Sequence, residues 1–118
     1  MTRIFVAALV VVLTLASAVL NESDASSDAT RKTDLLATGK RVFTRHCAGC
    51  HGAEGKGDGY KLLGPDPANL TAPATRKQSD RALLTTIHEG KPNMPSWKGI
   101  LSERDIKSVL AYIRSLPR

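Results

Sequence analysis

The chain's only two cysteines, Cys47 and Cys50, stand three residues apart in Cys-Ala-Gly-Cys-His, with His51 directly after them. A disulfide between them would close a very small loop and add little stability. A redox dithiol needs a thioredoxin-like βαβ setting, and no strand pattern is present to build one. Zinc asks for four ligands, and two cysteines with three histidines at poor spacing do not make a set.

The N-terminus bears on the choice. Arg3 precedes an apolar run from Ile4 to Leu13, and Ala16-Ser17-Ala18 has the small-x-small pattern of a signal-peptidase site. Residues 1–18 therefore read as a signal peptide cleaved after Ala18. The alternative is an uncleaved anchor, because the 17 residues from Ile4 to Leu20 are at the short edge of a membrane span. Either way the rest of the chain is expected outside the cytoplasm, in the periplasm.

In an exported chain, C-x-x-C-H is the attachment motif of haem c. Thiols about one helical turn apart reach the two vinyl groups on one porphyrin edge, and the adjacent histidine is carried beneath the iron. One covalent haem c on Cys47 and Cys50, with His51 as iron ligand, is the expectation. A sixth ligand is then needed unless the site is open. Met1 leaves with the leader, so Met94 is the remaining methionine, in Gly-Lys-Pro-Asn-Met-Pro-Ser-Trp between Pro92 and Pro95. A thioether opposite His51 favours reduced iron and raises the potential. The competing reading makes Met94 a gap-filling core residue.

Three helices must position these groups. The first runs from about Asp34 to Ala48, with Leu35, Leu36, Val42, Phe43 and Cys47 near one face and Gly39 interrupting it. The second has Ser79 as cap, Leu83, Leu84 and Ile87 inside, and Gly90 as stop. In the third, Ser102 caps, Asp105 occupies the capping-box position, Ile106, Val109, Leu110, Ile113 and Leu116 form the stripe, and Pro117 ends it. Residues 19–33 read as a flexible polar leader, and residues 34–118 as the domain. A Gly/Pro-dense stretch from Gly52 to Gln78 separates the first two helices. So long a loop is unusual in a compact domain, and three short helices bury little apolar surface. Both make sense if the chain wraps a cofactor.

From about Leu35 to Pro117 the sequence resembles the monohaem class I cytochromes c, especially short bacterial periplasmic ones. Cys-Ala-Gly-Cys-His matches their attachment motif, and Gly-Lys-Pro-Asn-Met-Pro-Ser-Trp resembles their methionine loop. The resemblance implies an all-α fold: three main helices and Gly/Pro-rich loops wrapped around one covalently bound haem c. It implies that Gly39 and Phe43 meet a C-terminal helix carrying Tyr112. It also implies that a Pro carbonyl, from Pro65 or Pro67, accepts the His51 Nδ1–H bond. The implied function is a periplasmic electron carrier with His51/Met94 ligation and no enzymatic activity. Its alternative is a haem subunit, or a ligand-binding or peroxidatic haem protein with a displaceable Met94.

Four other features carry weaker signals. His46 reads as a surface residue. His88 reads as an exposed helix-end histidine or a substitute ligand if the Met94 loop opens. Trp97 covers the cofactor or fills the core. Lys56, Lys61, Lys91 and Lys98 belong to a solvated face or steer an acidic partner. Without Arg3 the chain keeps 16 Lys and Arg against 11 Asp and Glu. Export and an aromatic content of 4% argue against nucleic acid. Redox proteins (a dehydrogenase, oxidase or reductase) with an acidic docking surface are the expected partners, and a membrane only if the leader is retained.

Overall fold

The computed structural model describes residues 25–60 and 66–118. Residues 1–18, which the sequence reads as a signal peptide, lie outside the described residues, as do Lys61 and Pro65. Contacts divide the chain into two compact units, Met1–Thr33 and Asp34–Arg118.

Of the first unit, residues 25–33 are described. They are helical and exposed throughout, where composition predicts a flexible leader. The Thr30 hydroxyl donates to the Ser26 carbonyl at 2.9 Å and the Thr33 hydroxyl to the Ala29 carbonyl at 3.0 Å, bonds that do not themselves stabilise a helix. Ala25 and Ala29 supply high helix propensity.

Among the described residues the second unit contains helices and two isolated bridges, Lys91–Met94 and Lys98–Leu101, with no strand. Helix α1 covers residues 34–46, α2 Ala48–His51, α3 Pro73–Arg76, α4 Asp80–Glu89 and α5 Glu103–Ser115. The short α3 falls inside the stretch that shows no periodicity. It starts at Pro73, whose fixed φ suits a first helical position.

The caps of α4 and α5 form where the sequence pattern predicts them. Ser79 Oγ accepts from the Ala82 N–H at 3.2 Å. Ser102 Oγ accepts from the Asp105 N–H at 3.1 Å and donates to the Asp105 carboxylate at 2.7 Å. Each cap satisfies a donor that the helix start leaves unpaired. The buried stripe of α5 has the helical period: Ile106, Val109, Leu110 and Ile113 inside, Leu116 buried just beyond its end.

One core cluster joins Phe43 of α1, Leu83 and Ile87 of α4, and Ile106, Val109, Leu110 and Ile113 of α5. Phe43 is 1% exposed, and its ring centroid is 5.3 Å from that of Tyr112. At Gly39 the backbones of α1 and α5 nearly touch. A Cβ there would stand 2.0 Å from the Ser108 carbonyl oxygen and 2.8 Å from Tyr112 Cβ, so only glycine fits. The helix contact that the family resemblance implies is present.

Two arginines clasp the end of the chain. Arg114 pairs with Asp80 at 2.8 Å and donates to the Arg76 and Gln78 carbonyls; Arg76 donates to the Arg114 and Leu116 carbonyls. Their guanidinium forks thus satisfy carbonyls around α3 and at the end of α5.

Two stability predictions follow from the α1–α5 crossing, both measured by denaturant unfolding of the haem-loaded protein. Gly39→Val forces the helices apart and is expected to cost about 3 kcal/mol or more. Ser108, 0% exposed, has a hydroxyl with no hydrogen-bond partner among the described residues. Ser108→Ala removes that buried polar group and is expected to be neutral or to stabilise by about 1 kcal/mol.

Candidate haem site

The end of α1 delivers the first cysteine. The Cys47 N–H still donates to the Phe43 carbonyl at 2.8 Å, continuing the helical ladder. The next turn is tighter: the Cys50 and His51 N–H groups both donate to the Cys47 carbonyl, at 3.1 and 2.9 Å. Gly52, at φ +78°, closes α2 by donating to the Ala48 carbonyl. Cys47, Cys50 and His51 therefore share one turn. Both thiols are free of a disulfide and half-buried, and Cys47 packs against the core cluster.

Burial, and secondarily the neighbouring Cys50, pushes the Cys47 thiol up to about 11. A redox-active dithiol needs a thiolate near neutral pH, which comes from a lowered pKa. The environment of Cys47 acts in the opposite direction. Among the described residues no group of three or more His, Cys, Asp or Glu side chains is placed to hold a metal ion.

His51 is oriented from behind. Its Nδ1 lies 2.9 Å from the Ala68 carbonyl oxygen. A carbonyl only accepts, so Nδ1 carries the proton and Nε2 keeps a lone pair for a metal. The acceptor expected from the family resemblance was a proline, Pro65 or Pro67. Pro67 is the neighbour, and Ala68 supplies the oxygen. Any residue has a carbonyl, so no side-chain pattern marks the position. Ala68 is held by its surroundings: the Gly57 N–H donates to the His51 carbonyl at 2.8 Å and the Leu70 N–H to the Gly55 carbonyl at 2.7 Å. Asn69 Oδ1 accepts from both the N–H and the hydroxyl of Thr71, and the buried Thr75 donates to the Asn69 carbonyl.

Met94 is half-buried and packs against the same core cluster as Cys47. Its backbone is paired both ways with Lys91, each bond 2.9 Å, which closes the Lys91–Met94 turn. Gly90, at φ +72°, admits this turn. A side chain there would meet the Met94 carbonyl oxygen at 2.4 Å and the Ser96 nitrogen at 2.8 Å.

The surroundings of two histidines differ from expectation, while Lys56 and Lys98 lie on a solvated face. His46 is half-buried, with its ring edge-on to Trp97 at a centroid distance of 5.1 Å. The two lie 51 positions apart, and no local signal links them. His88 is likewise not an exposed helix-end residue. Its Nε2 is buried and lies 3.2 Å from Glu103 Oε1, an ion-pair distance whose angles do not make a hydrogen bond. Lys56 sits 2.6 Å from Glu54, whose carboxyl it holds below the usual range, and Lys98 sits 3.5 Å from Glu89.

A covalent haem c fits these residues. The two thiols are unpaired within one turn, the histidine beside them has its far nitrogen free, and a rim of half-buried apolar side chains flanks the core. That rim includes Val42, Leu70, Leu84, Met94, Trp97 and Leu101. An all-helical unit with this site is a monohaem class I cytochrome c domain, an electron-carrier domain with haem c held by Cys47 and Cys50.

The particular family follows from comparison. Residues 34–113 match the family described as cytochrome c oxidase, cbb3-type, subunit III, and the chain belongs to it. It is 38% identical over 89 residues to the cbb3-type cytochrome c oxidase subunit FixP of Bradyrhizobium diazoefficiens, covering 74% of this chain and 29% of that protein. It is 39% identical over 79 residues to cytochrome c6 of Leptolyngbya boryana, covering 65% of this chain and 87% of that protein. Cytochrome c6 of a Synechocystis species is 34% identical over 80 residues, with 66% and 62% covered. The chain thus spans less than a third of the FixP length and most of the Leptolyngbya cytochrome.

Covalent attachment at two thiols predicts that the denatured, mature protein shows no free thiol in a thiol assay. It also predicts that the Cys47→Ser, Cys50→Ser double variant loses its haem to acidic organic solvent, while each single variant retains it through the remaining bond.

Proposed function

We propose that the protein is a periplasmic electron carrier in which His51 Nε2 and the Met94 thioether, the axial pair the family resemblance implies, would hold the iron of haem c. Haem c supplies a one-electron Fe(III)/Fe(II) couple. His51 and Met94 would hold the iron in both states, so little of the chain would need to reorganise. The observation that carries this reading is the Met94 loop. Its sulfur-bearing residue is half-buried on the cluster that also receives Cys47, and its backbone is closed on Lys91. A soft thioether opposite an imidazole favours the reduced iron and raises the potential.

A peroxidatic alternative needs an acid–base pair beside the iron. His88 is turned to Glu103 and Glu89 lies near Lys98, which supports the carrier. Similarity to a cbb3-type oxidase subunit supports an oxidase as the redox partner, and the chain's net positive charge suits an acidic docking surface on it. Export rests on the leader of residues 1–18. No helix among the described residues is long and apolar enough to cross a membrane.

The test is spectroscopic. The oxidised protein, matured with haem c, is expected to show a far-red sulfur-to-iron band, and the reduced protein is expected not to bind carbon monoxide. Met94→Ala should abolish the band, lower the reduction potential and bind carbon monoxide stoichiometrically. A wild-type protein without the band that binds carbon monoxide readily would overturn the reading.

A further inference from the structure

The segment that carries Met94 leaves α4 and returns to it. Gly90 departs with its N–H on the Thr86 carbonyl at 2.9 Å. After the Lys91–Met94 turn, the Trp97 N–H donates to the Ile87 carbonyl at 3.1 Å and the Lys98 N–H to the His88 carbonyl at 3.2 Å. These belong to the carbonyls that a helix end leaves without intrahelical partners. The Ser96 hydroxyl donates to the same His88 carbonyl, so that oxygen takes two bonds. The His88 side chain, meanwhile, faces Glu103 in the first turn of α5. Residue 88 therefore stands where the methionine loop, α4 and α5 meet.

We propose that Ser96 is a positioning residue for the Met94 thioether: through the His88 carbonyl it locks the ligand loop onto the carboxyl end of α4. It thereby sets how readily an outside ligand displaces the sulfur. This inference rests on Met94 ligation. Pro95 separates Met94 from Ser96, so opening of the Ser96 anchor is transmitted to the ligand through a single, φ-restricted residue. The Trp97 and Lys98 backbone bonds remain in any side-chain variant. Removing the hydroxyl weakens the loop's closure without abolishing it. An outside ligand binds only the open form, so its apparent affinity scales with the open population.

The experiment uses the haem-loaded, oxidised protein titrated with imidazole, following loss of the far-red band. Ser96→Ala is expected to raise the apparent imidazole affinity roughly fivefold, the equilibrium weight of one net side-chain hydrogen bond. Ser96→Thr, which keeps the hydroxyl, should return it to within about twofold of wild type. Ser115→Ala serves as the control. It removes a comparable hydroxyl-to-carbonyl bond, to Tyr112 at 2.7 Å near the end of α5, and should leave the titration unchanged. Equal affinities in wild type and Ser96→Ala, or an equal rise in Ser115→Ala, would overturn the positioning role while leaving ligation intact. Absence of the band in the wild type would overturn both the ligation and the positioning role.

Discussion

The near-contact of two backbones at Gly39 is the constraint from which the site hangs. Helix α5 is where it meets the rest of the unit. On one side it takes α1 at backbone distance, with Phe43 and Tyr112 packed beside the crossing. On another it takes α4 through Leu83 and Ile87. Because α1 runs straight into Cys47, its seating on α5 determines where the attachment turn begins. Because α4 ends at Gly90, its seating determines where the Met94 loop begins. The segments bearing Cys47, Cys50 and His51 and the one bearing Met94 are thus referred to a single helix. A spacing of fractions of an ångström at Gly39 matters 8 residues away, because helices transmit displacement rigidly and close-packed interiors do not absorb it.

The non-helical parts obey a different rule. With no strand among the described residues, their backbone groups need partners one at a time. The connection from α2 to α4 finds them in carbonyls of its own neighbourhood, through Gly57, Leu70 and the Asn69–Thr71–Thr75 group. The connection from α4 to α5 uses the open end of α4. The arginine pair does the same for the chain end. In each case a loop is tied to a helix terminus or to the attachment turn. The described parts of these segments are thereby tied in place without a sheet.

Legibility in the sequence follows from the range of each interaction. The boundaries of α4 and α5 are set by caps three residues away and by stripes of helical period, so Ser79, Ser102, Gly90 and Pro117 announce them. The attachment turn is likewise local, and Cys-Ala-Gly-Cys-His displays it outright. The close approach at Gly39 appears only as an anomaly, a glycine in an apolar face, until the family resemblance gives it a partner. The carbonyl behind His51 is a backbone group and has no signature of its own; the family resemblance implies a proline, and Ala68 is the acceptor. The His46–Trp97 and His88–Glu103 neighbours depend on tertiary placement. The helix at residues 25–33 is hidden for another reason: it is exposed all round, so it has no hydrophobic periodicity to announce it.

The same Cys-x-x-Cys spacing serves opposite chemistries, and the surroundings of Cys47 decide between them. A redox dithiol lowers the pKa of its first thiol, and a helix N-terminus is one setting that does so. Here Cys47 stands at the carboxyl end of α1, where the helix dipole disfavours an anion. It introduces only the four-residue α2, too short to reverse that field. Burial against the core and the adjacent Cys50 push in the same direction. Cys47 is nonetheless well placed as a fixed attachment point, because the packing that raises its pKa also holds its sulfur at the edge of the core. The Cys-Ala-Gly-Cys-His motif and the family assign the redox chemistry to the group the sulfurs carry, and the cysteines themselves serve as anchors.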